Sequence, residues 1–142
     1  MITYNNFVSF FKSFEERKII PALSIAEISF PFYGDEKAVT RIFENIISNA
    51  LSHGKSDYHF SSYDNNEYYY FSFQNITDSI SESDIDKIFN RFYTTDLSRS
   101  RKTTGLGLTI AKNLTVKMGG SISASLNNNV FEIVVCFPKQ KG

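Results

Sequence analysis

The spacing of apolar residues changes along this chain from a helical period to strict alternation, and that change limits the possible folds more than any other feature. Four apolar residues recur every three or four positions in the first half of the chain: Val39, Ile42, Ile46 and Ala50. This spacing predicts an amphipathic helix. We expect the helix to begin after a cap at Asp35 and to run to about His53, because Gly54 follows.

Alternation of apolar with polar residues predicts strands, and turn residues join these strands into two hairpins. The first hairpin pairs Tyr58–Tyr63 with Glu67–Gln74 through the Asp-Asn-Asn turn at 64–66. The second is C-terminal, where alternating apolar residues lie on both sides of three asparagines at 127–129. A further strand is predicted at Leu23–Phe30.

The same spacing rules predict three more helices. They cover Asn6–Lys18, a short segment from Ser83 to about Phe92, and Leu106–Met118. The start at Ser83 follows from an acidic residue, Asp86, three positions later, as in a capping box. Helices mixed with hairpins predict the α+β class, namely a two-layer sandwich with helices on one face of a mixed, mostly antiparallel sheet.

Composition narrows the classes of function. The length of 142 residues predicts a single domain, 1–142. Fifteen basic and fifteen acidic residues give no net charge, which disfavours nucleic-acid binding because phosphate neutralisation supplies most of that affinity. The single cysteine, Cys136, excludes an intramolecular disulfide. No apolar run approaches the roughly 20 residues of a membrane-spanning helix, so we expect a soluble, cytoplasmic domain.

Two asparagines on the long predicted helix carry the first chemical signal. Asn45 and Asn49 are four residues apart and therefore share one face. Their carboxamide oxygens are hard ligands of the kind that Mg²⁺ accepts when phosphates and water complete its shell. Arg41 and His53 extend the same stripe. A solvated polar face would give the same pattern, but asparagine is a poor helix former, so two of them in mid-helix indicate a further reason.

Glycine spacing at the start of a predicted helix is the second signal. The sequence Thr-Gly-Leu-Gly-Leu stands there at 104–108, and backbone N–H groups at a helix start bind phosphate. The preceding segment is cationic, with Arg99, Arg101 and Lys102. Taken alone, this segment could equally be an ordinary solvated loop, but beside a phosphate-binding helix start it favours a nucleotide lid. The pattern is neither a dinucleotide fingerprint nor a P-loop, because the third glycine and the Gly-Lys-Ser/Thr are missing.

Four motifs in order resemble the catalytic, ATP-binding domain of two-component sensor histidine kinases, within the GHKL superfamily. Arg41–Ala50 is similar to the N box, Ile88–Tyr93 to the F box, Thr104–Leu108 to the G2 box, and Gly119–Gly120 to the last glycine motif. Each box alone is a weak signal, whereas four in sequence over nearly the whole chain are a strong one. The resemblance implies a Bergerat ATP-binding fold with ATP and Mg²⁺ as cofactors.

The resemblance also implies roles for individual residues. Asn49 would coordinate Mg²⁺, Asn45 would support the metal and phosphate site, and Arg91 would contact the terminal phosphates. Asn45 and Arg91 are thus the predicted catalytic residues. The remaining predicted nucleotide-binding residues are His53, Asn75, Ile80, Phe92, Arg99, Lys102, Thr104, Gly105, Leu106, Gly107 and Leu108.

The G1 box departs from the family pattern. Where the family has Asp-x-Gly-x-Gly, with an aspartate that accepts a hydrogen bond from the adenine amino group, this chain has Asn75, Thr77 and Ser79. A neutral hydrogen bond is worth about 1 kcal/mol and one to a charged group about 1.5–3 kcal/mol, so we expect weaker but retained adenine binding. A Gram-positive subgroup of sensor kinases is similar in having asparagine here. Asp78 is the alternative candidate for the G1-box aspartate, displaced by three positions along the sequence.

Neither histidine, His53 or His59, is followed by a phosphoacceptor pattern. The resemblance therefore implies the catalytic half of a histidine kinase, which donates the γ-phosphate of ATP to a histidine on the dimerisation domain of its parent protein. A response regulator would act downstream, the parent would be membrane-anchored, and the isolated domain would be monomeric. Two alternatives stay open: a degenerate regulatory domain that binds ATP weakly or not at all, and an anti-sigma-type serine kinase.

Overall fold

The structure, a computed structural model, describes residues 22–25, 36–78, 80–90 and 107–139. Its helices are α1 (Glu36–His53), α2 (Glu82–Ile85) and α3 (Gly107–Lys117). Its strands are β1 (Ala22–Ile25), β2 (Ser56–Asp64), β3 (Tyr68–Ile76), β4 (Ser121–Asn127) and β5 (Val130–Pro138). The predicted helix at Asn6–Lys18 lies outside these ranges, and so does the second half of the strand predicted at Leu23–Phe30. None of the three described helices is both long and apolar enough to cross a membrane.

The five strands form one mixed sheet in the order β1-β2-β3-β5-β4. β1 runs parallel to β2, and all other neighbours are antiparallel. The side chains of β2, β3 and β5 that point to one side are buried, and α1 and α3 pack on that side and against each other. The described ranges thus confirm the predicted two-layer α+β sandwich with a mostly antiparallel sheet.

Aromatic rings fill the space between α1 and the central strands. Phe43 of α1 is fully buried, and its ring centroid lies 5.0 Å from that of Phe71 and 5.7 Å from that of Phe73, both on β3. Phe60 of β2 meets Phe73 edge-on at 5.6 Å. Burial of each ring stabilises the fold by roughly 1.5–3 kcal/mol. This packing fixes which face of α1 is turned to the sheet.

An irregularity lies at the start of β2, just before its first buried side chain. The pairing with β3 shifts register between Ser56 and His59, and Asp57 within this stretch has a φ of 54°. The extra residue forms a β-bulge. Tyr58, just after the bulged residue, shares the buried side with Phe60 and lies beside Gly54, which follows α1.

Helix α2 begins two residues earlier than the sequence pattern predicted. Its N-cap is Ser81, whose backbone N–H donates to Asp84 Oδ2 at 2.8 Å; the predicted start at Ser83 was wrong. Both serines are followed three positions later by an aspartate, so the local pattern does not choose between them.

The packing of two isoleucines determines that Ser81, and not Ser83, caps α2. Ile80, just before the cap, is 4% exposed, and Ile85 packs against the same core, as in a hydrophobic staple. The predicted extent of this helix was wrong as well, because α2 ends at Ile85 and residues 86–89 form turns.

Two turns follow the prediction closely. Gly119 has a φ of +82°, which is the left-handed conformation that commonly ends a helix. Asn128 and Asn129 have φ values of 49° and 67°, as a two-residue hairpin turn requires. The predicted C-terminal hairpin is therefore confirmed.

Gly54 allows α1 to meet β2 closely. A Cβ at this position would lie 2.4 Å from the Ala50 carbonyl oxygen and 2.5 Å from Cε1 of Tyr58, and neither a helix carbonyl nor a buried ring can move aside cheaply. We expect Gly54→Ala to lower the free energy of unfolding by roughly 1–3 kcal/mol, as measured by urea denaturation.

Gly119→Asn is the control for this variant, because no atom lies within 4 Å of a Cβ at Gly119 and asparagine tolerates a positive φ. A Gly54→Ala variant that is as stable as Gly119→Asn would contradict the close packing of Gly54.

Candidate functional site

Asn45 links α1 to the first residue of α3. Its Nδ2 donates to the Arg41 carbonyl oxygen at 2.9 Å, so the amide nitrogen is held against the backbone of its own helix. A Cβ on Gly107 would lie 3.6 Å from Asn45 Oδ1, and glycine keeps that volume open. The arrangement brings together two residues that the sequence assigned to one site.

Asn49 carries an unpaired buried atom. Within the described ranges, its Nδ2 is the one buried side-chain nitrogen or oxygen that lacks a hydrogen-bond partner. Leaving such an N–H unpaired costs about 1–3 kcal/mol. The residue as a whole is only half-buried, and its other end, Oδ1, is the atom available to a ligand.

The two asparagines fit a magnesium ion in one restricted way. Carboxamide oxygens are hard ligands that suit Mg²⁺. No group of three His, Cys, Asp or Glu side chains in the described part of the chain could hold a metal by itself. A magnesium ion that is held mainly by phosphates and water could take one further oxygen from Asn49.

The start of α3 offers the groups that an anion needs. The helix runs for 11 residues from Gly107 and has no acidic residue in its first turn, so its positive dipole end is left for an external anion. Leu108, the next residue, is 6% exposed and belongs to the hydrophobic core, so it anchors the start of the helix. Thr109 Oγ1 donates to the Phe89 carbonyl oxygen at 2.9 Å and ties α3 to the F-box segment.

Asn75 lies on the side of β3 that faces α1. It is 3% exposed and is paired with Phe131 of β5. Asp78, the alternative for this role, has a side chain that is 68% exposed and forms a surface ion pair with Lys55 at 3.5 Å. Burial therefore favours Asn75 over Asp78. Ile80, also predicted to bind nucleotide, belongs to the hydrophobic core.

Several predicted site residues lie outside the described part of the chain: Arg91, Phe92, Arg99, Lys102, Thr104, Gly105 and Leu106. The described backbone places His53 at the end of α1. Among described residues, the candidate site consists of the asparagine face of α1 and the start of α3, with Asn75 on the strand against which α1 packs.

Thr77 makes a contact that the sequence did not indicate. Its side chain is fully buried, and its backbone N–H donates to the Asn129 carbonyl oxygen at 2.9 Å. The segment that follows β3 is thereby attached to the β4–β5 turn. The run of asparagines predicts that turn, but it holds no information about what the turn contacts.

Comparison with known proteins identifies the family. Residues 34–141 match the family of histidine kinase-, DNA gyrase B- and HSP90-like ATPases. The chain belongs to this family.

Sensor histidine kinases are among its relatives. WalK of Bacillus subtilis (strain 168) is 41% identical over 96 residues, which cover 63% of this chain and 16% of WalK. YcbM of the same strain is 32% identical over 134 residues, which cover 86% of this chain and 40% of YcbM. The chain thus spans less than half the length of these relatives. The family match and the relatives confirm the resemblance to the ATPase domain of histidine kinases.

Solved structures of histidine kinases share the fold. The catalytic domain of ThkA, in a nucleotide-free form, superposes with a TM-score of 0.80 at 23% identity and covers 97% of this chain and 93% of that domain. Mycobacterial MprB gives a TM-score of 0.74 at 18% identity and covers 93% of both chains. At this level of identity the likeness establishes the fold alone, which is the predicted α+β sandwich.

Replacing Asn49 by leucine tests the cost of its unpaired N–H. Leucine has a similar size and would bury an apolar group where the nitrogen now lies. We expect the free energy of unfolding of Asn49→Leu to stay the same or to rise by up to about 1 kcal/mol, as measured by urea denaturation.

Asn45→Leu is the matched control, one turn earlier on the same face. It removes the hydrogen bond to the Arg41 carbonyl and should not stabilise the fold. If Asn49→Leu lowers the free energy of unfolding by more than about 1 kcal/mol, the size of a normal hydrogen bond, the amide nitrogen of Asn49 has a hydrogen-bond partner in solution.

Proposed function

We propose that this chain is the ATP-binding catalytic domain of a sensor histidine kinase and that it holds ATP with Mg²⁺ between α1 and the start of α3. The supporting observation is the position of Asn45 against Gly107, the first residue of α3, together with the unpaired Nδ2 of Asn49 one turn further along α1. An amide kept at a cost to stability, on the helix that packs against a helix start without an acidic first turn, suits a metal-bound phosphate.

The residues of the site would act by positioning and by neutralising charge, which is what phosphoryl transfer requires of a protein. Mg²⁺, when bound, would neutralise charge on the phosphates, with Asn49 as its protein ligand. Backbone N–H groups at the start of α3 would hold phosphate oxygens, while the buried side chain of Leu108 anchors that helix. By their place in the F box and lid motifs, Arg91, Arg99 and Lys102 would add positive charge.

Asn45 favours transfer to a protein over hydrolysis by water. Hydrolysis is helped by a general base that takes a proton from water, and an amide is not such a base. The nitrogen of Asn45 is moreover occupied by the Arg41 carbonyl. The γ-phosphate would therefore pass to a histidine on the dimerisation domain of a membrane-anchored parent, and from there to a response regulator.

Calorimetric titration tests nucleotide binding. ADP and a non-hydrolysable ATP analogue are titrated with and without Mg²⁺ into the wild-type chain and into Asn49→Ala. We expect Asn49→Ala to lose the Mg²⁺-dependent part of the affinity and to keep the rest. If no nucleotide binds at about millimolar concentration, which means a binding free energy weaker than about 4 kcal/mol, the alternative of a regulatory domain replaces the proposal.

One observation favours that alternative. Thr77, which stands at a glycine position of the G1 box, is fully buried.

A second experiment tests the acceptor. The chain is mixed with ATP and with the dimerisation domain of its parent protein, and the phosphorylated product is treated with acid. Acid-labile phosphate on that domain supports transfer to histidine. Acid-stable phosphate on a separate partner would support the serine-kinase alternative instead.

Gly107→Ala separates ligand binding from folding. The added methyl group would enter the space beside Asn45 Oδ1 at an ordinary contact distance of 3.6 Å, and alanine is the better helix former by up to about 1 kcal/mol. We therefore expect unchanged or higher stability without nucleotide, and affinity for Mg²⁺-ADP lowered about tenfold or more, or about 1.4 kcal/mol, in calorimetric titration.

Asn113→Ala is the control, because Asn113 is exposed on the same helix and should bind nucleotide as the wild type does. Equal affinity of Gly107→Ala and the wild type would show that the phosphates do not bind at Gly107.

A further inference from the structure

The hydroxyl group of Thr109 joins two elements of the structure. Its Oγ1 donates to the main-chain carbonyl oxygen of Phe89 at 2.9 Å, and the bond is partly buried. Thr115, six residues later on α3, shows the local alternative, because its Oγ1 donates to the Ala111 carbonyl of the same helix at 2.7 Å. Of these two threonines, only Thr109 uses its hydroxyl to connect α3 with another part of the chain.

Phe89 is held to α3 a second time, through its ring. Lys112 Nζ lies 5.8 Å from the centroid of the Phe89 ring, which is within the range of a cation–π contact. Thr109 and Lys112 are three residues apart and therefore lie on the same face of α3. One face of the helix thus contacts both the main chain and the ring of Phe89.

The carbonyl that Thr109 reaches belongs to a well-anchored part of the structure. Ile88, the residue before it, is 7% exposed and belongs to the hydrophobic core. The N–H of Asn90, the residue after it, donates to the Lys87 carbonyl oxygen at 2.9 Å and closes a turn around it. The Phe89 carbonyl can therefore serve as a fixed point for the start of α3.

The buried contacts of α3 lie along a single stripe. Its buried residues are Leu108, Ala111 and Thr115, whose spacing of three and four marks one side of a helix. A single stripe opposes rotation about the helix axis only weakly. Thr109 is about 100° around the axis from Leu108, since a helix has 3.6 residues per turn, so its bond to Phe89 opposes that rotation.

The first turn of α3 is also where the helix has main-chain donors to offer. The first N–H groups of an α-helix have no partner within the helix, and here they include those of Gly107, Leu108 and Thr109. Within the described ranges, no main-chain carbonyl outside α3 accepts any of these three. Their direction depends on the contacts that fix this turn.

We infer that Thr109 is a positioning residue: by bonding the Phe89 carbonyl, it holds the first turn of α3 so that its N–H groups face the phosphates of the nucleotide. This inference rests on the proposed function, because it takes the phosphates to bind at the start of α3. The hydroxyl acts through the helix, since it is occupied by Phe89. Without the bond, a smaller fraction of molecules has the binding orientation, and the apparent affinity falls with that fraction.

Calorimetric titration of Mg²⁺-ADP into Thr109→Val tests the inference. Valine keeps the shape of threonine and removes the hydroxyl, so we expect the affinity to fall about three- to tenfold, the effect of one hydrogen bond. Thr109→Ala should show the same loss. Because alanine is the better helix former, a helix that fails to form cannot explain it. Thr109→Ser keeps the hydroxyl and should bind as the wild type does.

Thr115→Val is the matched control. It removes a hydroxyl bond to a carbonyl from the same helix but leaves the bond to Phe89 in place. Its affinity for Mg²⁺-ADP should equal that of the wild type, whatever its free energy of unfolding in urea. If Thr109 served stability alone, neither the recovery in Thr109→Ser nor the difference between the two valine variants would appear in the affinity.

Three results would overturn the inference while leaving the proposed function intact. One is that Thr109→Val and Thr109→Ala bind Mg²⁺-ADP as tightly as the wild type. Another is that Thr109→Ser binds as weakly as Thr109→Val. The third is that the affinity of Thr115→Val falls as far as that of Thr109→Val. If the wild type does not bind Mg²⁺-ADP, the proposed function fails and this inference fails with it.

Discussion

The packing of Phe43 against Phe71 and Phe73 is the contact on which the rest of the structure depends. It joins the long helix to the middle of the sheet and thereby fixes the rotation of α1 about its axis. Successive helical residues are about 100° apart, so a change of one position would carry Asn45 and Asn49 either into the core or fully into solvent. Their place at the border of the core, where one end of an amide is buried and the other is accessible, follows from this aromatic contact.

The sequence predicted most of the fold because apolar periodicity records burial directly. The predicted end of α1 before Gly54 matches its last residue, His53, and the asparagine run located the hairpin turn, in which Asn128 and Asn129 have a positive φ. The start of α2 was missed because two overlapping Ser-x-x-Asp pairs are locally equivalent, and only the packing of Ile80 and Ile85 distinguishes them. The same limit applies at the site: spacing located Asn45 and Asn49, but the bond between Thr77 and Asn129 joins distant parts of the chain and has no local signature.

The candidate site is also where this fold gives up local stability. An unpaired N–H on Asn49 disfavours the folded state, and it lies one turn from Asn45, which meets the first residue of α3. Elsewhere, local preference and packing agree, as at the cap of α2 and at Gly119. Disagreement between local preference and packing is expected at functional sites, and Asn49 lies in the segment that resembles the N box, within the range that matches the family.

The order of strands has a consequence for how this domain forms during synthesis. β5 is the last described strand along the chain, yet it lies between β3 and β4 and pairs with β3 along its whole length. Until β5 has left the ribosome, the hydrogen-bonding edge of β3 that later pairs with β5 has no partner strand. Chains emerge from the N-terminus, and unpaired strand edges invite association with other chains. A nascent chain of this domain therefore exposes its most aromatic strand until its final hairpin closes.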